Sequence, residues 1–159
     1  NIKKKFFISS LKSFKGLPHR HEFFLKLGNF TFINDSKATS FESTKFALKS
    51  NKNIIWITEE QTKKNDKIEI TEFKEKIIKA YIIGKHKNFF VKQIDKKIKY
   101  ETANTLNTAI NQLFKSFNKK QKLTILFSPA SASYDQFKNF VERGEKFKSL
   151  VKYNAKKFY

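Results

Sequence analysis

Two short, unbroken apolar runs, residues 53–58 (NIIWIT) and 122–127 (KLTILF), constrain the fold of this chain more than any other feature. Each is too short to bury as a helix and lacks the polar alternation of a half-exposed strand. Such runs read as strands covered on both faces, the signature of a parallel sheet whose crossover helices lie above and below it. The flanking segments supply those helices. Apolar residues recur at helical spacing over residues 3–14, 41–50 and 105–117, and over 133–158 with a break near Gly144. A short helix is expected at 71–78, a weaker one at 85–93, strands at 79–83 and 97–101, and a polar loop at 59–67. Residues 21–27 and 29–34 alternate around Gly28, which predicts a β-hairpin. The expectation is one Rossmann-like, three-layer α/β domain: a mainly parallel sheet flanked by helices, with an antiparallel hairpin at the start. No linker, repeat or low-complexity tract divides the 159 residues.

Composition narrows the function classes without choosing one. The formal net charge of +20 first suggests nucleic acid or an anionic surface. All but two of the 34 basic residues are lysines, however, and they are scattered along the chain. The sequence is also rich in Asn, Ile and Phe, which share A/T-rich codons with Lys, so coding bias accounts for the lysines. Charge alone speaks to solubility and non-specific binding. Neither a specific nucleic-acid partner nor a membrane is expected, since no apolar run nears the roughly 20 residues that span a bilayer. Cysteine is absent, which excludes disulfides, a Cys nucleophile and thiolate metal sites, and fits a reducing cytoplasm. The same bias makes the scarce G/C-encoded residues informative. Gly16, Pro18 and Arg20 fall in GLPHR, Pro129 in SPASASYDQF, and Arg143 with Gly144 in VERGEKF.

The chemistry gathers in the same segments. The β-type run at 30–33 ends abruptly in Asn34-Asp35-Ser36-Lys37-Ala38-Thr39-Ser40, and a helix-period stretch follows. A carboxylate, an ammonium and hydroxyls therefore stand where a strand hands over to a helix. Open α/β folds hold ligands there, and the free N–H groups of the helix start suit an anion. SPASASYDQF begins where KLTILF ends, which places a second polar loop on the same sheet edge. Structural alternatives stand beside each reading. Arg20 could pair with Glu22 at the surface, Asp35 could close an Asx turn, and Thr39 could cap the following helix. His19 could be a packed histidine, and Lys63 a solvated neighbour of Lys64. His21 and His86 receive no role.

In this order and spacing, GLPHR, FINDSKAT and SPASAS with DQF resemble the C-terminal domain of the Mur ligases, specifically their D-glutamate-adding branch. The resemblance runs over nearly the whole chain, to about residue 151. It implies a cytoplasmic, monomeric, ATP- and Mg²⁺-dependent acid–amino-acid ligase of peptidoglycan precursor synthesis. In that reaction ATP phosphorylates the carboxylate of UDP-N-acetylmuramoyl-L-alanine. The amine of D-glutamate then attacks the acyl phosphate through a tetrahedral intermediate. Residue by residue, the resemblance implies that Arg20, Asp35 and His19 face the nucleotide and Lys37 the reacting phosphoryl group. Thr39, Lys63, Ser133, Tyr134 and Phe140 match positions around D-glutamate. The residue types suit these roles: a guanidinium for phosphate oxygens, a carboxylate for ribose hydroxyls, a cation for developing oxyanion charge.

Two departures qualify the resemblance. Glu59-Glu60 stands where the family usually has Gly-Gly, adding bulk and negative charge beside a site for a dianion, which speaks against Lys63. Ser40 stands where Asn is common. There is also no glycine-rich P-loop, no evident Mg²⁺ ligand set and no site for the nucleotide sugar. The expectation is that residues 16–159 are the last domain of a longer enzyme, with residues 1–15 ending a helix from upstream substrate- and ATP-binding domains. The isolated chain is then expected not to catalyse ligation. Two other readings compete: a divergent, non-catalytic remnant of such a ligase, and a basic nucleic-acid-binding module with a steep salt dependence.

Overall fold

The computed structural model describes residues 3–14, 16–59, 67–84, 88–132 and 137–158. Strands β1 (Glu22–Leu27), β2 (Phe30–Asn34), β3 (Ile54–Glu59), β4 (Ile77–Ile83), β5 (Tyr100–Ala103) and β6 (Leu123–Phe127) form one sheet in the order β1-β2-β6-β3-β4-β5. β1 pairs antiparallel with β2, and every other neighbouring pair is parallel. The helices are α1 (Lys4–Ser13), α2 (Phe41–Ser50), α3 (Asn88–Ile94), α4 (Leu106–Ser116) and α5 (Phe140–Phe158). The expected α/β class, with its leading hairpin, is what the chain adopts.

The apolar runs behave as strands buried on both faces. Every residue of β3 is buried, and its side chains alternate between two cores. Ile54 and Trp56 pack with Phe41, Leu48 and Phe90 of α2 and α3. Ile55 and Ile57 pack with Ile110, Leu113, Phe147 and Val151 of α4 and α5. Burying an aliphatic or aromatic side chain of this size contributes roughly 1.5–3 kcal/mol, so the two cores hold helices on opposite faces of the sheet. Local chemistry sets the helix starts. The side chain of Ser40 accepts from Ser43 N at 3.3 Å at the head of α2, and Thr105 from Thr108 N at 3.2 Å at the head of α4. Asn139 Oδ1 accepts from the Val141 and Glu142 N–H groups at 3.0 and 2.9 Å, which fixes the start of α5.

Several local expectations need correction. The cap of α2 is Ser40, and Thr39 is exposed beside it. Residues 71–78 are not a helix. A 3-10 turn at Ile70–Phe73 buries Ile70 and Phe73, and Ile77 already pairs with Ile54 in the β3–β4 ladder. The strand expected at 97–101 is shifted to Tyr100–Ala103, because a turn through Lys96 (φ 59°) first closes α3. Residues 60–66, 85–87 and 133–136 of the expected loop and helices lie outside the described residues. α1 stands apart: none of its residues is buried, and Phe6, Phe7, Ile8 and Leu11 are exposed. Among the described residues, no helix is long and apolar enough to cross a membrane.

Gly144 does not break α5, which runs through it unbroken. A glycine inside a helix costs about 1 kcal/mol relative to alanine, and here close packing explains it. A Cβ at this position would collide with His19 Nδ1 and sit 3.0 Å from Asn34 Nδ2. Gly144→Ala is therefore expected to lower stability by about 1–3 kcal/mol in urea denaturation, despite its better helix propensity. A variant as stable as the parent, or more so, contradicts the close packing.

Candidate functional site

β2 and β6 are neighbours in the sheet, yet the helices that follow them lie on opposite faces, α2 with one core and α5 with the other. The strand order thus changes direction between them, and a crevice opens outside their C-terminal ends. This is where open α/β sheets bind ligands.

Asp35, the first residue after β2, is built into that crevice. Its N–H donates to Phe127 O at 2.7 Å. Its carboxylate bridges the two other loops: Oδ1 accepts from His21 N at 3.0 Å, and Oδ2 from Ser128 Oγ at 2.7 Å. The Thr44 hydroxyl lies 2.9 Å from Ser128 Oγ and completes the chain. Burial pushes the Asp35 carboxyl above its ordinary range, against the hydrogen bonds from Ser128 and His21. Each oxygen keeps a second lone pair for a ligand hydroxyl. Arg20, His21, Asp35, Lys37, Ala38, Ser43 and Phe46 line a cleft of about 380 Å³ at this point.

The GLPHR segment reaches the cleft through strained backbone. His19 and His21 both take the left-handed conformation, at φ 64° and 44°, and Lys37 N donates to His19 O at 2.9 Å. The His19 side chain does not line the cleft. It is buried, with Nδ1 accepting from Asn34 Nδ2 at 2.9 Å, and its ring fills the space that Gly144 leaves open. Burial, then the charge of Lys148, lowers its pKa against the raising influence of Glu22 and Glu145. The surface pair of Arg20 with Glu22 is not formed. Glu22 is instead engaged by His19 N and Asn34 Nδ2, each at 3.0 Å, and by Lys148 at 3.2 Å. Among the described residues Arg20 has no ion pair and is exposed at the cleft. Asn34, not Asp35, closes the Asx-type turn, its Oδ1 accepting from Ser36 N at 3.2 Å.

The structure therefore brings Arg20, Asp35 and Lys37 together, with Phe140 beside Lys37: its ring centroid is 3.6 Å from Lys37 Nζ. Lys63, Ser133 and Tyr134 lie outside the described residues. Two residues were missed from sequence. His21 lines the cleft, its Nε2 2.8 Å from Asn51 Nδ2 and its ring edge-on to Phe46 at 5.5 Å. The second is Arg143, fully buried in α5, whose guanidinium donates to Glu59 Oε2 at 2.5 Å, Ser131 O at 3.0 Å and Ser36 O at 2.7 Å. Its signal was its rarity, one of two arginines in a lysine-rich chain. This pairing also revises the reading of Glu59: its charge is matched by Arg143 and is not left facing the ligand site. Among the described residues, no group of three or more His, Cys, Asp or Glu could hold a metal ion. A larger depression of about 560 Å³, lined by residues such as Ile78, Lys99 and Phe117, lies at the opposite, N-terminal edge of β4 and β5, away from these groups.

No family model matches the chain. Curated relatives do. It is 42% identical over 141 residues to the UDP-N-acetylmuramoylalanine–D-glutamate ligase of Wolbachia sp. subsp. Brugia malayi, covering 88% of this chain and 28% of that protein. The ligase of the same name from Bartonella henselae is 41% identical over 143 residues, 89% of this chain and 31% of that protein. That from Fusobacterium nucleatum is 40% identical over 141 residues, 85% and 32% respectively. The chain thus spans about a third of the length of these relatives. Among solved structures, it is similar to the MurF ligase from Thermotoga maritima in complex with ADP. The TM-score is 0.65 at 17% identity, over 96% of this chain and 34% of that one, a likeness of fold. The chain is homologous to the C-terminal part of the D-glutamate-adding Mur ligases.

Two carboxyls at the site predict opposite pH effects. Burial alone would raise Glu22, but the His19 N–H, Lys148 and Asn34 outweigh it and hold its carboxyl below the ordinary 4.5. Its stabilising contribution is present above pH 4.5 and is lost as pH falls through the depressed value. Glu22→Gln is therefore expected to be less stable than the parent at neutral pH, with the gap closing in acid. Asp35 is raised above 3.8, so its ionisation opposes folding as pH climbs from 3.8 through the raised value. Asp35→Asn then gains on the parent over that window. Urea denaturation at stepped pH reads both; a Glu22→Gln gap that widens on acidification contradicts the assignment.

Proposed function

We infer that this Mur ligase C-terminal domain is the amino-acid-binding part of an ATP-dependent ligase that joins D-glutamate to UDP-N-acetylmuramoyl-L-alanine. The observation that carries the reading is the convergence of Arg20, Asp35 and Lys37 on one cleft at the switch point of the sheet. Asp35 accepts ribose hydroxyls with the lone pairs its internal partners leave free, and the exposed Arg20 guanidinium takes phosphate oxygens. Lys37 places a cation where phosphoryl and oxyanion charge develops. His19 serves the nucleotide indirectly, through its carbonyl on Lys37 N and its ring on Asn34. The family resemblance assigns D-glutamate, whose two carboxylates need hydroxyl, ammonium and backbone donors, to Thr39, Lys63, Ser133, Tyr134 and Phe140.

ATP supplies the activated phosphoryl group. In this reading the Mg²⁺ ligands lie in the remainder of a longer, cytoplasmic, monomeric enzyme. The exposed Phe6, Phe7, Ile8 and Leu11 of α1 give that upstream part an apolar face to cover. The competing non-catalytic remnant drew its support from Glu59-Glu60, and the Arg143 partner of Glu59 removes half of that support.

In the full-length enzyme, Lys37→Ala is expected to cut turnover by about 10²-fold or more with the unfolding midpoint unchanged. The 159-residue chain alone is expected to form no product from ATP, D-glutamate and UDP-N-acetylmuramoyl-L-alanine. Parental kinetics in the variant, or turnover by the chain alone, contradict the reading.

A further inference from the structure

Lys37 is held by contacts that the ligase reading does not use, and they come from the first turns of α5. Arg143 Nη2 donates to the Ser36 carbonyl at 2.7 Å, and Arg143 Nε to Ser36 Oγ at 3.1 Å. Ser36 Oγ donates in turn to the Phe140 carbonyl at 2.8 Å. The Phe140 ring receives the Lys37 ammonium at 3.6 Å. The peptide before Lys37 and the charge at the end of its side chain are thus fixed by residues three apart on one helix, which share a face. The guanidinium can occupy this fully buried place because Glu59 Oε2 matches its charge and Ser131 O accepts a further N–H. A planar fork can meet these partners at once, whereas a lysine ammonium cannot reproduce that geometry. The aromatic face attracts a cation through its quadrupole.

We propose that Arg143, with Glu59 as its counter-ion, is a positioning residue for Lys37, fixing Ser36 and thereby delivering the Lys37 ammonium to the face of Phe140. The role rests on the reading of Lys37 as the cation at the reacting centre. It also explains the glutamate at position 59, which balances the arginine that orders the Lys37 loop. Truncating Arg143 would leave Glu59 buried without this partner, so the informative substitutions are smaller ones.

The proposal is tested by ¹³C NMR of the 159-residue chain after reductive ¹³C-methylation of its lysines, because a methylammonium on a ring face is shifted upfield by the ring current. Lys79, Lys119 and Lys157 also lie over rings, at 4.9, 4.7 and 4.3 Å, so the Lys37 signal is the upfield dimethyl-lysine signal that Lys37→Arg removes. It is expected to be retained in Phe140→Tyr and returned to the common lysine envelope in Phe140→Leu. Arg143→Lys and Ser36→Ala, the latter removing the hydroxyl between Arg143 and Phe140, are each expected to move the signal toward that envelope while circular dichroism stays parental. A Lys37 signal unmoved in folded Arg143→Lys and Ser36→Ala overturns the proposal, as does a parent chain in which Lys37→Arg removes no upfield signal. If Arg143→Lys does not fold, Ser36→Ala decides. The signal is read without nucleotide or substrate, so its failure is distinct from failure of the ligase reading, which shows in the turnover of full-length Lys37→Ala.

Discussion

One buried guanidinium holds the C-terminal edge of this sheet together. Arg143 is fully buried, and its hydrogen bonds reach the loop after β2, the end of β3 and the loop after β6. Those are the strand ends that carry the chemistry. Removing one partner of a buried ion pair typically costs roughly 3–5 kcal/mol, because the other charge is left uncompensated. Such a pair is weak evidence for net stability, and its value here lies in geometry. It joins three strand ends through the Ser36 and Ser131 carbonyls and the Glu59 carboxylate, and it seats α5 so that Gly144 can admit His19.

Around that staple the polar residues form a connected layer. Asn34, fully buried, donates to His19 and Glu22 and accepts from Ser36, while Glu22 also takes Lys148 of α5. Asp35 joins GLPHR to the loop after β6 through His21 N and Ser128 Oγ. Buried polar groups are costly unless satisfied, and satisfaction here comes from residues distant in sequence. The strained φ values of His19, His21 and Ala130 occur in the same loops. Strain of this kind persists where the surroundings over-determine it. The outcome is a cleft whose Arg20, Asp35 and Lys37 stand on a rigid base.

Much of this was legible in the residues. NIIWIT and KLTILF became β3 and β6, adjacent and buried, because continuous apolar runs of that length fit only a strand covered on both faces. FINDSKAT lay at a strand-to-helix junction, and the structure places Asp35 and Lys37 at the cleft there. The errors share a physical cause: they concern residues whose role is set by distant partners. Gly144 reads locally as a helix break, yet its lack of a side chain makes room for His19. Residues 71–78 read as a short helix, but pairing with Ile54 claims Ile77 for the sheet. Glu59 reads as an intruding charge until Arg143, 84 residues away, is seen beside it. His19 and His21 exchange expectations for the same reason, since only the fold decides which ring faces inward.

The central claim is that the crevice between β2 and β6 is the nucleotide-facing half of a ligase site. Titration of the ¹⁵N-labelled chain with ADP, followed by two-dimensional NMR, tests it most directly. The account predicts saturable shift changes concentrated at Arg20, His21, Asp35, Lys37, Ala38 and Ser43. Changes centred instead on the depression near Lys99 and Phe117, or none at millimolar ADP, would contradict it.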